Sequence, residues 1–350
     1  SRMPLAGPVL APPGAVDPLA PLVMPGVPYY PGMTMLPMLV VPYTPEPAAP
    51  STRAPTTEEA AVSESITSFA TSCSDTANLR SLPRRLVIAV LQDRLRWVWP
   101  GVNLLPFGSV ATGTDLPSSD LDLMLPVEDS NWSRLVEEVL SWRQPTWLVS
   151  QEHISSEFPV IRLVIDPGAL RLATHFALES LAEEAADTTV EEGAIQAMDW
   201  GEVVVDLSAG VDHGGPAMAE VARCGLGMLP LLRPLTLVLK QNLREQERHV
   251  PYEGGLSSYS VLLMVWCFLT TFPFTEDQAG EALAAVLQFY AEEFDPKTTA
   301  VTTTGFLPRE EQDRHEHLVV RDPVLGGNTA RSAFGFRQIQ RNWGEAGAAV

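Results

Sequence analysis

No stretch of this chain restricts its fold as tightly as Phe107 to Leu125, where a Gly108-Ser109 pair is followed by Asp120-Leu121-Asp122 at the head of an apolar run. In a β-strand successive side chains alternate faces, so Asp120 and Asp122 project from one face while Leu121 and Leu123 take the other. Two carboxylates side by side repel unless a cation lies between them. A divalent ion such as Mg²⁺, which prefers hard oxygen ligands and phosphate, meets that need. Gly108 lets backbone and neighbour approach closely, and Ser109 with the following N–H groups can hold a phosphate where a loop enters a helix. An Asp-x-Asp alone is common. Here the Gly-Ser turn and the flanking leucines give it the surroundings of a buried strand and the equipment for nucleotidyl transfer.

The rest of the chain reads as strands first and helices later. Leu86, Val87, Val90, Leu91, Leu95 and Val98 have helical spacing, with Pro83 acceptable in the first turn and Pro100-Gly101 as the stop. Strands are expected at about 103–107, at 120–125 and 147–150, and over Val160–Ile165. A further strand is expected at Glu202–Leu207, where Asp206 sits in an apolar β-branched run that makes a solitary carboxylate costly. A short amphipathic helix is expected from Asn131 to Trp142. From Leu226 onward the pattern is helical, over Leu229–Gln246, Ser257–Phe272 and Ala279–Phe294. The fold class expected is therefore α+β, with a catalytic sheet domain docked to a helical one. Fourteen of the 31 prolines fall between Pro4 and Pro50; residues 1–75 read as a disordered tail and linker. Residues 76–100 read as a helix packing with the helical domain, 101–210 as the catalytic domain and 211–350 as the helical domain. Seven acidic residues and no Lys or Arg lie between Glu179 and Asp199, so about 168–200 reads as an acidic, solvated insertion.

Four groups of residues, in order, carry a resemblance. They are the Gly-Ser/Asp-x-Asp stretch with Asp206; Leu232 to Leu243 with Lys240; Gly254-Gly255-Leu256-Ser257-Ser258-Tyr259; and Asp322-Pro323 with Asn328 to Arg331. Over about 79–343 the chain resembles the noncanonical poly(A) polymerases and terminal uridylyltransferases of the DNA-polymerase-β-like superfamily, its TRAMP-type members most of all. The resemblance implies a nucleotidyltransferase palm with a mixed sheet, a mainly helical central domain and a cleft between them. It implies that Asp120, Asp122 and Asp206 hold two Mg²⁺ (or Mn²⁺) ions. Gly108 and Ser109, with Ser258, would cradle phosphate, Lys240 and Arg244 would bind the triphosphate, and Tyr259 would stack on the base. Asn328, after the Asp-Pro, favours ATP over UTP. Where relatives carry Asn-Gly after the third Asp, this chain has His213-Gly214. His213 is read as a polar loop residue, and His315 with His317 lacks the companions of a zinc site.

Charge narrows the partners. With a formal net charge of −20, tight RNA binding by the chain's own surface is not expected, since such surfaces are usually basic. The resemblance supplies the alternative: an RNA 3′ end presented by a basic zinc-knuckle protein together with an RNA helicase, in the nucleus or nucleolus, the cytoplasm being the other compartment open to it. Three widely spaced cysteines (Cys73, Cys224, Cys267) fit reduced thiols. No apolar run is long enough to cross a membrane, and no membrane partner is expected. Two other readings stand beside RNA adenylation: UTP-preferring tailing, and a catalytically silent polymerase-fold scaffold.

Overall fold

The computed structural model describes residues 56–143, 145–155, 159–173, 200–210 and 214–348. The Pro-rich segment 1–50, most of the acidic run and His213 lie outside the described residues. A five-stranded sheet forms from β1 (Leu105–Phe107), β2 (Leu121–Leu125), β3 (Leu148–Ile154), β4 (Val160–Ile165) and β5 (Val203–Ala209), in the order β1-β2-β5-β4-β3. Only the β2–β5 pair is parallel; the other neighbours are antiparallel.

The alternation of β2, β4 and β5 decides which face does what. Leu121, Leu123, Leu125, Ile161, Leu163, Ile165, Val203, Val205 and Leu207 are all buried in one core. Burying each such side chain contributes about 1.5–3 kcal/mol. A one-residue slip of any strand would turn these outward and its polar partners inward, so the register is strongly specified. Helix α2 (Ser81–Arg96) covers this face with Leu86, Val87, Val90, Leu91 and Leu95. The opposite face carries Asp122, Arg162 and Asp206, with Met124, Val164, Val204 and Ser208 at further positions of the same parity.

Two expectations are corrected at the N-terminal side. Residues read as linker up to 75 are instead mostly helix: α1 spans Thr57–Leu79. A capping box starts it, with Thr56 accepting from the Glu59 N–H and Glu59 accepting from the Thr56 N–H. Ile66, Ala70 and Cys73 bury a narrow stripe, and Ser65, Thr67, Thr71, Ser74 and Thr76 return their hydroxyls to carbonyls one turn back. The helix over 81–96 was expected to pack with the helical region, yet its buried face joins the sheet core, while α1 makes the contacts with the later helices.

After β5 the chain turns helical. The elements are α6 (Gly215–Met228), α7 (Leu232–Glu245), α8 (Ser258–Thr271), α9 (Ala279–Gln288), the hairpin β6 (Thr299–Thr302) and β7 (Gly305–Pro308), and α10 (Phe336–Gly347). Their core is built around α8, buried from Ser260 to Leu269, with Tyr290, Phe294, Phe306, Phe336 and Trp343 packed edge-on around it. Among the described residues no single helix is long and apolar enough to cross a membrane.

Two shorter helices, α3 (Gly108–Thr112) and α4 (Trp132–Leu140), flank β2, and α5 (Pro167–Ala173) follows β4. The loop from Gly113 to Pro117, which leads from α3 to the Asp120 strand, is held by four cations. Arg80 donates to the Pro117 carbonyl at 2.5 Å, and Arg84 pairs with Asp115 at 2.7 Å. From α7, Arg233 donates to the Gly113 carbonyl at 2.7 Å and Lys240 to the Thr114 carbonyl at 2.5 Å. The sheet and the helical region are thus bolted together at the loop that presents the aspartates.

Candidate active site

The site is a row across the sheet. Register puts Asp122 of β2 directly beside Asp206 of β5, and Asp206 directly beside Arg162 of β4. The same row continues to Phe107 of β1 on one side and Glu152 of β3 on the other. Asp120 stands one residue before β2, with the same face parity as Asp122. Its carboxylate and that of Asp206 share the Arg162 guanidinium: Nη2 lies 3.0 Å from Asp120 Oδ2 and 2.7 Å from Asp206 Oδ2, and Nε lies 2.8 Å from Asp206 Oδ1.

Gly108 is fixed by Asp122. Its φ of +66° lies in the left-handed region, and a Cβ there would overlap the Asp122 carboxylate. Ser109 follows in the first turn of α3, beside that close approach. Burial pushes the Asp122 carboxyl up to about 7, helped by the nearby Asp206 and Asp120 carboxylates. Asp120 is raised for the same two reasons, burial and Asp206, against the opposing fields of Arg162, Arg244 and His249. Carboxylates crowded so that they resist ionisation are a common feature of functional sites, though among the described residues no three or more His, Cys, Asp or Glu are arranged to hold a metal ion.

Lys240, on α7, is buried with its ammonium on the Thr114 carbonyl, close enough for its charge to act on Asp122. Burial pulls its ammonium down to about 8, against the stabilising fields of Asp115 and Asp122. Arg244 is exposed one turn later, and its field reaches Asp120. Gly108 and the three aspartates are thus neighbours, with Ser109 next in the chain, while Lys240 and Arg244 act on them through their charge. Ser258 is exposed at the start of α8, whose N-cap Ser257 accepts from the Ser260 N–H at 3.0 Å; α8 touches α3. Tyr259 packs its ring against the helical core, with its hydroxyl 3.4 Å from Asp322 Oδ1.

Asn328 departs from expectation. Its Oδ1 accepts from the N–H groups of Val320 at 2.9 Å and Ala330 at 3.0 Å, and its Nδ2 donates to the Leu318 carbonyl at 2.8 Å. The carboxamide satisfies backbone groups left over by a tight loop, so its polar atoms are committed to that loop and not to a base. Arg162 is the residue that sequence reasoning missed. Its only signal was a lone cation in the apolar run Val160–Ile165, and which strand it would face could not be read without the register.

Residues 62–166 match the family model "Poly(A) RNA polymerase, mitochondrial-like, central palm domain". The chain is 29% identical over 279 residues to the poly(A) RNA polymerase cid14 of Schizosaccharomyces pombe, covering 75% of this chain and 36% of that protein. It is 24% identical over 278 residues to the inactive noncanonical poly(A) RNA polymerase protein Trf4-2 of Drosophila melanogaster, covering 73% of this chain and 60% of that one. The chain spans 24% to 42% of the length of the first curated relatives it matches. Among solved structures, the polymerase core of TRAMP, an RNA surveillance complex, superposes with a TM-score of 0.62 at 19% identity, covering 83% of this chain and 86% of that one. The Cid1 poly(U) polymerase gives 0.56 at 19% identity, with 81% and 93% covered. The fold is that of these nucleotidyltransferases.

Proposed function

We propose that this chain, a member of the noncanonical poly(A) polymerase family of polymerase-β-like nucleotidyltransferases, adds AMP from ATP to RNA 3′ ends without a template. The observation that carries the reading is the in-register pair Asp122–Asp206, joined by Asp120 and backed by Gly108, with the charge of Lys240 on α7 acting on Asp122. The residues fit divalent metal. The fit rests on the chemistry of the donor set, three hard carboxylates of which two, Asp120 and Asp206, already share one cation, the Arg162 guanidinium; among the described residues the three are not gathered into a ligating cluster. Asp120, Asp122 and Asp206 would hold two Mg²⁺ ions. Bound there, the ions would lower the pKa of the RNA 3′-hydroxyl and neutralise the triphosphate and its leaving pyrophosphate.

The chain's own residues do the rest. Asp206 accepts the proton of the attacking hydroxyl. Ser109 and Ser258 orient phosphate oxygens from the two sides of the cleft. Lys240 carries a point charge toward the β- and γ-phosphates, and Arg244 extends that positive wall toward the mouth. Tyr259 offers an aromatic face to the base, its hydroxyl tethered toward Asp322. The preference for ATP is supported by the poly(A) polymerases among the relatives, since the polar atoms of Asn328 are turned into its loop.

The setting we propose is nuclear RNA surveillance, with the RNA end delivered by a basic zinc-knuckle protein and a helicase. The net charge of −20 supports a delivered substrate over one captured alone. Incubating the purified chain with an oligo(A) RNA and each NTP in turn, with Mg²⁺, tests the activity. Extension with ATP that disappears in a folded Asp122→Ala variant is the expected result. Extension with UTP alone would assign uridylylation. Absence of extension with every NTP, with and without a basic RNA-binding partner, would assign the silent scaffold, a role that the inactive Drosophila relative keeps in view.

A further inference from the structure

Arg162 takes no part in the reaction as derived above, yet it occupies the centre of the site. Its guanidinium forks onto both oxygens of Asp206, at 2.8 and 2.7 Å, and reaches Asp120 at 3.0 Å. The fork is a planar, bidentate match to a carboxylate, the strongest form of such a pair. A carboxylate whose two oxygens are both held this way has fewer lone pairs free for a metal ion, and the guanidinium charge beside them repels one. The pair is also only partly open to solvent, with the Asp206 side chain 15% exposed and the Arg162 side chain 38%, so water screens it less than a surface ion pair.

The row supplies a second seat for the same guanidinium. Arg162 is the register partner of Asp206 on one side and of Glu152, on β3, on the other. Cβ atoms of directly opposed residues in antiparallel strands lie about 4.5–5.5 Å apart, within easy reach of an arginine. Glu152 is exposed on the outer strand and pairs with no cation among the described residues. One arginine thus stands between two carboxylate destinations, one inside the metal site and one outside it.

We propose that Arg162 is a built-in counter-cation that competes with divalent metal for Asp120 and Asp206, and that Glu152 receives its guanidinium when metal enters. Without metal, Arg162 neutralises carboxylates that otherwise repel one another. A divalent ion at these oxygens repels the guanidinium and competes for their lone pairs, and the side chain turns to the neighbouring strand. Arg162 is a positioning residue: it sets how readily the site loads. The inference rests on the aspartates' being the metal site proposed above.

The test is Mn²⁺ binding to the full chain without nucleotide, followed by the free-ion EPR signal and by calorimetry. R162M is expected to bind Mn²⁺ more tightly, on the order of tenfold. E152Q, which removes the outside seat, is expected to bind more weakly by about two- to threefold. R162K, with one ammonium in place of the fork, should fall between wild type and R162M, and serves if R162M does not fold. A second readout is melting temperature: R162M should melt lower than wild type in EDTA and gain more on adding Mn²⁺. Equal or weaker binding by both R162M and R162K overturns the inference and leaves the metal site standing. Unchanged binding by E152Q removes Glu152 from it. Failure of wild type and every Arg162 variant to bind Mn²⁺ overturns the inference together with the metal site on which it rests.

Discussion

Gly108 is where a single atom separates a working site from a broken one. Its backbone is left-handed, which costs a residue with a Cβ about 1–2 kcal/mol, and that Cβ would occupy the space of the Asp122 carboxylate. Gly108→Ala is therefore expected to melt lower and to lose nucleotidyl transfer even where it folds, by displacing Asp122. Wild-type melting and wild-type tailing together would contradict this. Lys240 makes the opposite kind of prediction. Burial holds its folded pKa at about 8, below the 10.5 of an ordinary lysine, so the unfolded chain binds more protons between those values. Stability from this group must then rise with pH through that window, and below it the buried charge costs about 3 kcal/mol. Lys240→Met fills the same space without a charge. In urea unfolding at pH 7.5 and at pH 9.5, the difference between wild type and variant should shift in favour of wild type at the higher pH. A difference that stays flat would mean that the ammonium is not buried at that cost.

At the scale of elements, the clamp on the Gly113–Pro117 loop binds α2, α7 and the sheet into one unit. The Arg84–Asp115 pair is nearly inaccessible, with side chains 6% and 4% exposed. Removing one partner of such a pair leaves an uncompensated buried charge and typically costs about 3–5 kcal/mol. Arg84→Met should lose stability of that order in denaturant unfolding, and adding Asp115→Asn should recover much of it. Additive losses in the double variant would show that the pair is not coupled. Strands of this fold were legible because period-2 burial is written directly into Leu121–Leu125, Val160–Ile165 and Val203–Leu207. Their pairing was not, because register arises from contacts distant in sequence; this is why Asp122 and Asp206 could be named while Arg162 could not be placed. Helix α1 escaped for a local reason. Its serines and threonines read as linker, yet they fold their hydroxyls onto the helix's own carbonyls and leave only a thin apolar stripe to be seen. Asn328 was placed correctly in its loop but not in its role, since a motif position does not say which way a carboxamide turns.

For the whole molecule the deciding quantity is the mismatch between a few local cations and an anionic body. Lys240, Arg244 and Arg162 lie near the aspartates, whereas the chain carries 43 acidic residues against 23 lysines and arginines. An RNA end approaching from solution meets the body's repulsion first. That repulsion extends about 30 Å at 0.01 M ionic strength and about 8 Å at 0.15 M, whereas the site's attraction acts only at close range. The association rate of a short single-stranded RNA with the isolated chain should therefore rise as salt is raised over that interval. Proteins that grip nucleic acid through their own basic surface show the reverse, because each phosphate contact becomes weaker as salt increases. A basic RNA-binding partner covering the acidic surface would restore the ordinary falling dependence. Stopped-flow association with fluorescent oligo(A), at fixed Mg²⁺ and with and without such a partner, reads both slopes. A falling rate for the chain alone would mean that its local cationic cleft dominates the encounter, and the need for a delivering partner would go with it.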